Sequence, residues 1–280
     1  MMRVKIVGDH SALHSGCRAV IKTIKDSYPW ATFVDGEEYD ALIVNGEGSM
    51  HHSSGGWHKK MIQVAKGISY GVPVYLVNSV WQENDNTYDK WLNKISGVWF
   101  REYFSLDEFI FKHFEDPPKK RPEVAPDLSL WCDLKHDPKD VTAYHGIVCT
   151  EDYWHKDQKS WSPMPCEYER IDMQKDWGAL IESLKTADCL ISGRHHAIYA
   201  AILAGIPFVP IEGNTWKNAG ICYYTYTQNI EYYQDALDLP KRASAAMAQS
   251  EAFDEITHLF SEYKRGPVPL PDLLSLKTGI

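Results

Sequence analysis

The sequence predicts an α/β protein of two Rossmann-like domains facing a cleft. Three observations carry this. Short apolar runs alternate with helix-length segments, the rhythm of a parallel sheet covered on both faces. That rhythm stops at the polar stretch Lys135 to Lys139, which holds Pro138, and then restarts. The 280 residues are 44% hydrophobic and 24% charged, a globular balance with enough chain for one large domain or two of about 130 to 140 residues. The expected division is 1–140 and 141–280, with the boundary near residue 140.

The elements follow in order. Arg3 to Val7 is the first strand, and His14 to Tyr28 the helix after it, with Ser15 as cap. Ala31 to Val34 and Ala41 to Val44 are short apolar runs. Trp57 to Tyr70 carries Met61, Ile62, Ala65 and Ile68 at helical spacing and ends at Gly71. Val72 to Val77 is a strand, Thr87 to Ile95 a helix, Gly97 to Phe100 a strand and Ser105 to His113 a helix started by Ser105. Val124 to Leu130 is a crossing segment. The second half begins with His145 to Cys149 as a strand and Glu151 to Pro165 as a long polar and aromatic loop. Met173 to Thr186 is a helix, Asp188 to Ile191 a strand, Arg194 to Ala204 a helix and Ile206 to Ile211 a strand. Ala243 to Tyr263 reads as one long helix that crosses back to the first domain.

Composition excludes several classes. Lys and Arg number 29 against 38 Asp and Glu, so the net charge is 29 − 38 = −9, unsuited to coating duplex nucleic acid or an anionic membrane. No apolar run reaches the length of a membrane span, and the charged start lacks the pattern of a signal peptide. The six cysteines are scattered without a CxxC pair, which points to reduced thiols in the cytoplasm rather than disulfides or a zinc site. His51, His52 and His58 do not form a helical metal pair, and no metal or other cofactor is expected.

Chemistry is expected at strand ends. The segment Asn45-Gly46-Glu47-Gly48-Ser49 opens a glycine-rich loop running to Gly56, expected to be mobile and to contact donor or acceptor. In Ser192-Gly193-Arg194-His195-His196 a helix start offers free N–H groups, and Arg194 adds a bidentate fork for carboxylate or phosphate. His196 is expected near the same anion and His195 turned elsewhere, because neighbours on a helix diverge by about 100°. Beyond the next strand, Lys217 is placed to reach that anion and Glu212 to accept from sugar or ribose hydroxyls. Arg101 ends another strand. Asp127 stands isolated between apolar residues. In the first turn, Asp9 with His10 or His14 makes an acid–base pair.

Together these loops resemble the polysaccharide pyruvyl transferase family. The matching pieces are Asn45-Gly46-Glu47-Gly48, then Arg101, Glu102 and Ser105, then Ala125-Pro126-Asp127. Ser192-Gly193-Arg194-His195-His196-Ala197 followed by Ala204-Gly205-Ile206-Pro207 is the most specific block, and Lys217 sits where that family often has Lys. The resemblance implies the two-Rossmann glycosyltransferase architecture (GT-B), with the acceptor on the N-terminal domain and the donor on the C-terminal one. It implies transfer of a pyruvyl group from phosphoenolpyruvate to a sugar hydroxyl, with Arg101, Arg194 and His196 on the donor's carboxylate and phosphate. The chain departs from the family at His14-Ser15-Gly16-Cys17, where an Asn-x-Gly-Asp pattern is usual, and at Glu47 inside the glycine loop.

Three functions therefore stand open. One is pyruvyl transfer to a glycan. The second is a nucleotide-sugar glycosyltransferase acting on a glycan or a modified nucleobase, with Arg194 on the diphosphate, Glu212 on the ribose, and Asp9, His10 or His14 as base. The third is a carbohydrate-binding protein that has lost its chemistry. The sequence sets no oligomeric state.

Overall fold

The computed structural model describes residues 1–116, 118, 120–224 and 230–278. It contains two separate parallel sheets, each in its own compact unit. The first unit holds residues 1–9, 24–128 and 268–280, and the second holds 10–23 and 129–267. The sequence places one break near 140. The compact units follow contacts rather than chain order, so the first helix is shared and the end of the chain joins the first unit.

In the first unit, β1 (Arg3–Val7), β2 (Thr32–Phe33), β3 (Ala41–Glu47), β4 (Val74–Ser79), β5 (Gly97–Phe100) and β6 (Glu123–Val124) lie in the order β2-β1-β3-β4-β5-β6. The register pairs Val4 with Ala41, Val7 with Val44, and Val44 with Leu76. Every residue of β3 and β4 is buried, the near-continuous apolar pattern of central parallel strands. Helix α2 (Gly55–Ser69) is capped by Ser54, which accepts from Trp57 N, and buries Trp57, Met61 and Val64. These residues form one core with Leu42, Leu76, Trp81, Phe100 and Phe109. Each large apolar side chain so buried contributes about 1.5–3 kcal/mol. The sequence reads Thr87 to Ile95 as a helix, but only α3 (Asp89–Leu92) forms. Helix α4 (Tyr103–His113) starts earlier than expected because Glu102, not Ser105, caps it by accepting from Ser105 N at 3.0 Å.

In the second unit, β7 (Ile147–Cys149), β10 (Glu169–Arg170), β11 (Cys189–Ser192) and β12 (Phe208–Pro210) run parallel in the order β10-β7-β11-β12. The stretch expected to be a loop instead contains an antiparallel hairpin, β8 (Asp152–His155) with β9 (Ser160–Pro163), in which Trp154 faces Trp161. Helix α1 (Ser15–Ser27) begins in this unit, and Ser15 N donates to Met173 O at 2.9 Å. Helix α5 (Trp177–Leu184) starts late, at the Asp176 cap. Helix α6 (His195–Ala204) packs on α5, and α7 (Lys217–Tyr224) follows β12. The expected long terminal helix is two, α8 (Leu239–Met247) and α9 (Ser250–Arg265). The break falls at Gln249, whose φ of −107° and ψ of 40° leave the helical range. The short α10 (Leu274–Thr278) closes the chain in the first unit.

Both sheets reverse their strand order once. In the first the reversal lies between β1 and β3, in the second between β7 and β11. Open parallel sheets bind ligands outside the carboxyl ends of the strands at such switch points. The first turn, the glycine-rich segment and the Ser192–His196 segment all follow those strands.

Candidate functional site

At the switch point of the first unit, the glycine-rich segment is tied down rather than loose. Residues 45–47 belong to β3 itself. Asn45 Nδ2 donates to Gly8 O at 2.9 Å and to Glu47 Oε2 at 3.0 Å. The ammonium of Lys60, itself buried, reaches in from α2 and donates to Asn45 O at 2.7 Å, Gly46 O at 2.9 Å and Ser49 Oγ. Farther along, Asn84 holds the loop by donating to Met50 O at 2.9 Å and accepting from Ser53 N at 3.1 Å. His51 Nε2 lies 2.9 Å from Gly48 O. The expectation of mobility from glycine content therefore meets a densely bonded loop. Lys60 was not singled out, although a lysine between Trp57 and Met61 on an apolar helix face was a legible signal.

Gly46 is there because nothing larger fits. A Cβ at that position would lie 2.2 Å from Ser79 Oγ and 2.8 Å from Ser79 Cα. Gly46→Ala is expected to cost about 1–3 kcal/mol through overpacking. A urea midpoint unchanged from the parent would show that β3 and β4 adjust freely.

Arg101 lies in the first unit and does not present an open cation. Its Nη1 donates to Asp127 Oδ2 at 2.7 Å, with side-chain exposures of 1% and 0%. The isolated aspartate of the sequence is thus the arginine's partner. Asp9, in the same unit, is exposed.

The second unit gathers the remaining candidates. At the end of β11, Ser192 Oγ accepts from Arg194 N at 2.8 Å and stands 3.3 Å from Thr150 Oγ1, at the end of β7. Asn218, fully buried, donates through Nδ2 to Gly193 O and to Ile211 O, both at 2.9 Å. This brings the Gly193–Arg194 turn and the Glu212–Lys217 loop to one place. Lys217 Nζ donates to Asn214 Oδ1 at 2.6 Å. Arg194 occupies the N-cap of α6. Its Nε donates to Asp152 Oδ1 at 2.7 Å, its Nη2 donates to Asp152 Oδ2, and its guanidinium stacks 3.7 Å above the Trp161 ring. The Nη1 edge carries two further donors. Asp152, Trp161, Thr150 and Asn218 were all missed. The first two lie in the β8–β9 hairpin, where the sequence predicts a loop.

The histidines divide. His195 packs its ring 4.8 Å from Tyr199. His196, also buried, meets His14 with ring centroids 4.9 Å apart and Trp177 at 6.4 Å. His14 and His196 are thus brought together within the second unit. His10 is half-buried in the turn before α1, where its carbonyl accepts from Leu13 N at 2.9 Å.

Burial pushes the Glu212 carboxyl above its ordinary value, while Lys156, 3.9 Å away, pulls the other way. A raised carboxyl holds its proton more tightly when folded, so its ionisation costs stability. That cost is absent at pH below the unfolded value near 4.5 and grows as pH rises from there through the folded value. Glu212→Gln is expected to remove this slope and to match or exceed the parent's stability at neutral pH. Melting temperatures from pH 4 to 7 check it, and a steeper loss in the variant would overturn it.

Two doubly wound parallel units define a GT-B-like fold, and known structures agree. The Anabaena HepE protein, solved with UDP and glucose, superposes with a TM-score of 0.59 at 9% identity, covering 100% of both chains. A functionally uncharacterised Klebsiella pneumoniae protein gives 0.54 at 15% identity over 84% of this chain and 93% of its own. Arabidopsis thaliana UGT89C1, solved with UDP-L-rhamnose, gives 0.52 at 9% identity over 94% of each chain. No curated protein sequence matches. The chain belongs to the polysaccharide pyruvyl transferase family, whose model matches residues 10–215. It is a sugar-modifying transferase. No helix among the described residues is long and apolar enough to cross a membrane.

Proposed function

We propose that the protein transfers a group from a phosphate-containing small-molecule donor to a sugar hydroxyl, with the donor seated on the second unit. The observation that carries this is the convergence, through Asn218, of the α6 start at Gly193–Arg194 with the loop bearing Glu212 and Lys217. A helix start supplies N–H groups and a positive dipole end, and Arg194 and Lys217 supply charge. In the first reading, which family membership favours, two sugar hydroxyls add at C2 of phosphoenolpyruvate, one of their protons goes to its methylene carbon and the other leaves with inorganic phosphate, and the product is a pyruvyl ketal. The donor's phosphate takes the α6 start and its carboxylate takes Lys217 and the Nη1 edge of Arg194. His10, which lies in the second unit with the donor residues, receives an acceptor proton.

One observation favours a second reading. The partly buried Glu212 carboxyl stands in the same loop as Lys217, a suitable acceptor for the hydroxyl pair of a ribose. A nucleotide sugar would then be the donor, with a glycan or modified nucleobase as acceptor. Thermal-shift titration of the whole protein with phosphoenolpyruvate, UDP and UDP-sugars separates the two. Stabilisation by phosphoenolpyruvate alone, lost in Lys217→Met, supports the first. Stabilisation by UDP, lost in Glu212→Ala, supports the second. No response to either class overturns the proposed donor site.

A further inference from the structure

We propose that His14, Cys17 and His196 form a binding site for a zinc-class transition-metal ion, at the same α6 start that bears Arg194. The inference does not rest on the donor reading. All three residues lie within the second unit. His14 immediately precedes α1 and Cys17 is in its first turn, an i, i+3 pair on one face. Cys17 Sγ is already 3.4 Å from His14 Nε2. His196, the second residue of α6, comes from the opposite side. One ligand atom from each of the three can be chosen so that all lie within 4.8 Å of one another.

The approach of the two helices is built in. A Cβ on Gly16 would lie 2.3 Å from His196 Cγ, so only a glycine between the two α1 ligands lets this ring come so near. The backbone around His14 is anchored as well. Gln174 Nε2 donates to Leu13 O at 2.6 Å, and Arg18 Nη2 donates to Gln174 O at 2.6 Å and Lys175 O at 2.9 Å. The ligand-bearing turn is thus held to the 173–175 segment independently of any ion.

Both geometry and donor chemistry suit zinc. With Zn–S near 2.3 Å and Zn–N near 2.0–2.1 Å, a tetrahedral ion spaces sulfur and nitrogen about 3.6 Å apart and two nitrogens about 3.4 Å apart. The Cys17–His14 edge is already close to that value, and about 1.2–1.4 Å of ring swing closes the widest gap the cluster allows, 4.8 Å. One thiolate with two neutral imidazoles is a borderline-soft set that selects zinc, cobalt or copper over magnesium or calcium. On ligation the Cys17 thiol gives its proton to solvent. Three protein ligands leave a fourth tetrahedral position for water. The ion would pin the start of α1 to the start of α6. Spacing along the sequence could not reveal this, because the third ligand is remote from the first two.

Cobalt(II) titration of the metal-stripped whole protein, followed by zinc(II) competition, tests the proposal. The expected result is one cobalt per chain, a thiolate-to-cobalt charge-transfer band, and displacement of cobalt by zinc. Cys17→Ser should abolish the band. His196→Gln should weaken binding by more than the roughly 10–100-fold that loss of an outer-shell partner costs. The adjacent pair His51 and His52 and the thiols of Cys149 and Cys166, whose sulfurs are 3.5 Å apart, are competing sites among the described residues. A His51→Ala/His52→Ala variant and a Cys149→Ser variant should therefore bind as the parent does. Circular dichroism checks each fold, and the parent's own band carries the test where a variant does not fold. No band in the folded parent, a band that survives Cys17→Ser, or a band lost in either control variant would overturn the assignment.

Discussion

Arg101→Ala is expected to be among the most destabilising single substitutions in the first unit. The guanidinium and the Asp127 carboxylate are almost completely excluded from solvent and bonded at 2.7 Å. Removing one member leaves the other charge buried without its counter-ion, which costs about 3–5 kcal/mol. Against a total stability of about 5–15 kcal/mol, that is a large share. Asp127→Ala should behave alike. Replacing both, as Arg101→Met with Asp127→Leu, should recover much of the loss, since an apolar pair of similar volume often matches a buried ion pair. Urea denaturation of the parent and these three variants compares the losses. If Arg101→Ala kept the parent's midpoint and lost donor binding instead, the arginine would be the donor ligand that the family resemblance implies.

Arg194→Ala carries the largest expected effect on turnover. On the proposed reading, the Nη1 edge grips the donor while Asp152 and Trp161 hold the other edge and face. Two charge-assisted hydrogen bonds at roughly 1.5–3 kcal/mol each correspond to a loss in kcat/KM on the order of 10² to 10⁴-fold. The stability cost should be small, because Arg194 is 33% and Asp152 23% exposed, and such pairs are partly screened. Asp152→Asn should leave the cation present but poorly aimed, lowering kcat/KM less than Arg194→Ala does. Near-normal kinetics with a large drop in melting temperature would make Arg194 a clamp on the β8–β9 hairpin and nothing more.

Much of this architecture was legible. Apolar runs such as Ala41 to Val44 and Val72 to Val77 can be buried only in a covered parallel sheet, and the restart after Pro138 marks a second sheet. The positions of Gly193, Arg194 and Lys217 at strand ends followed from the same rhythm. What each cation faces did not follow. Arg101 and Asp127 meet through the positions of β5 and the segment after β6, which no local pattern encodes. Asp152 was hidden because a two-stranded hairpin with aromatic residues on both faces shows no one-sided alternation. The break between α8 and α9 escaped for a related reason. Apolar spacing continues across Gln249, so periodicity sees one helix where the backbone makes two. The meeting of His14, Cys17 and His196 depends on helix packing at Gly16, which sequence distance conceals.

The division of α1 between the units and the return of the 268–280 segment to the first unit bear on how the molecule is made. During synthesis most of the first unit emerges well before the 268–280 segment that completes it. Tyr28, for example, gains the acceptor of its hydroxyl, Pro271 O at 2.8 Å, only from that final stretch. The second unit likewise takes His10–Thr23 from near the start. Neither half can be finished by cutting the chain once. A gene fragment ending near residue 128 would leave the start of α1 without its packing partners and the first unit without its closing segment. Contacts of very high sequence separation therefore complete both units.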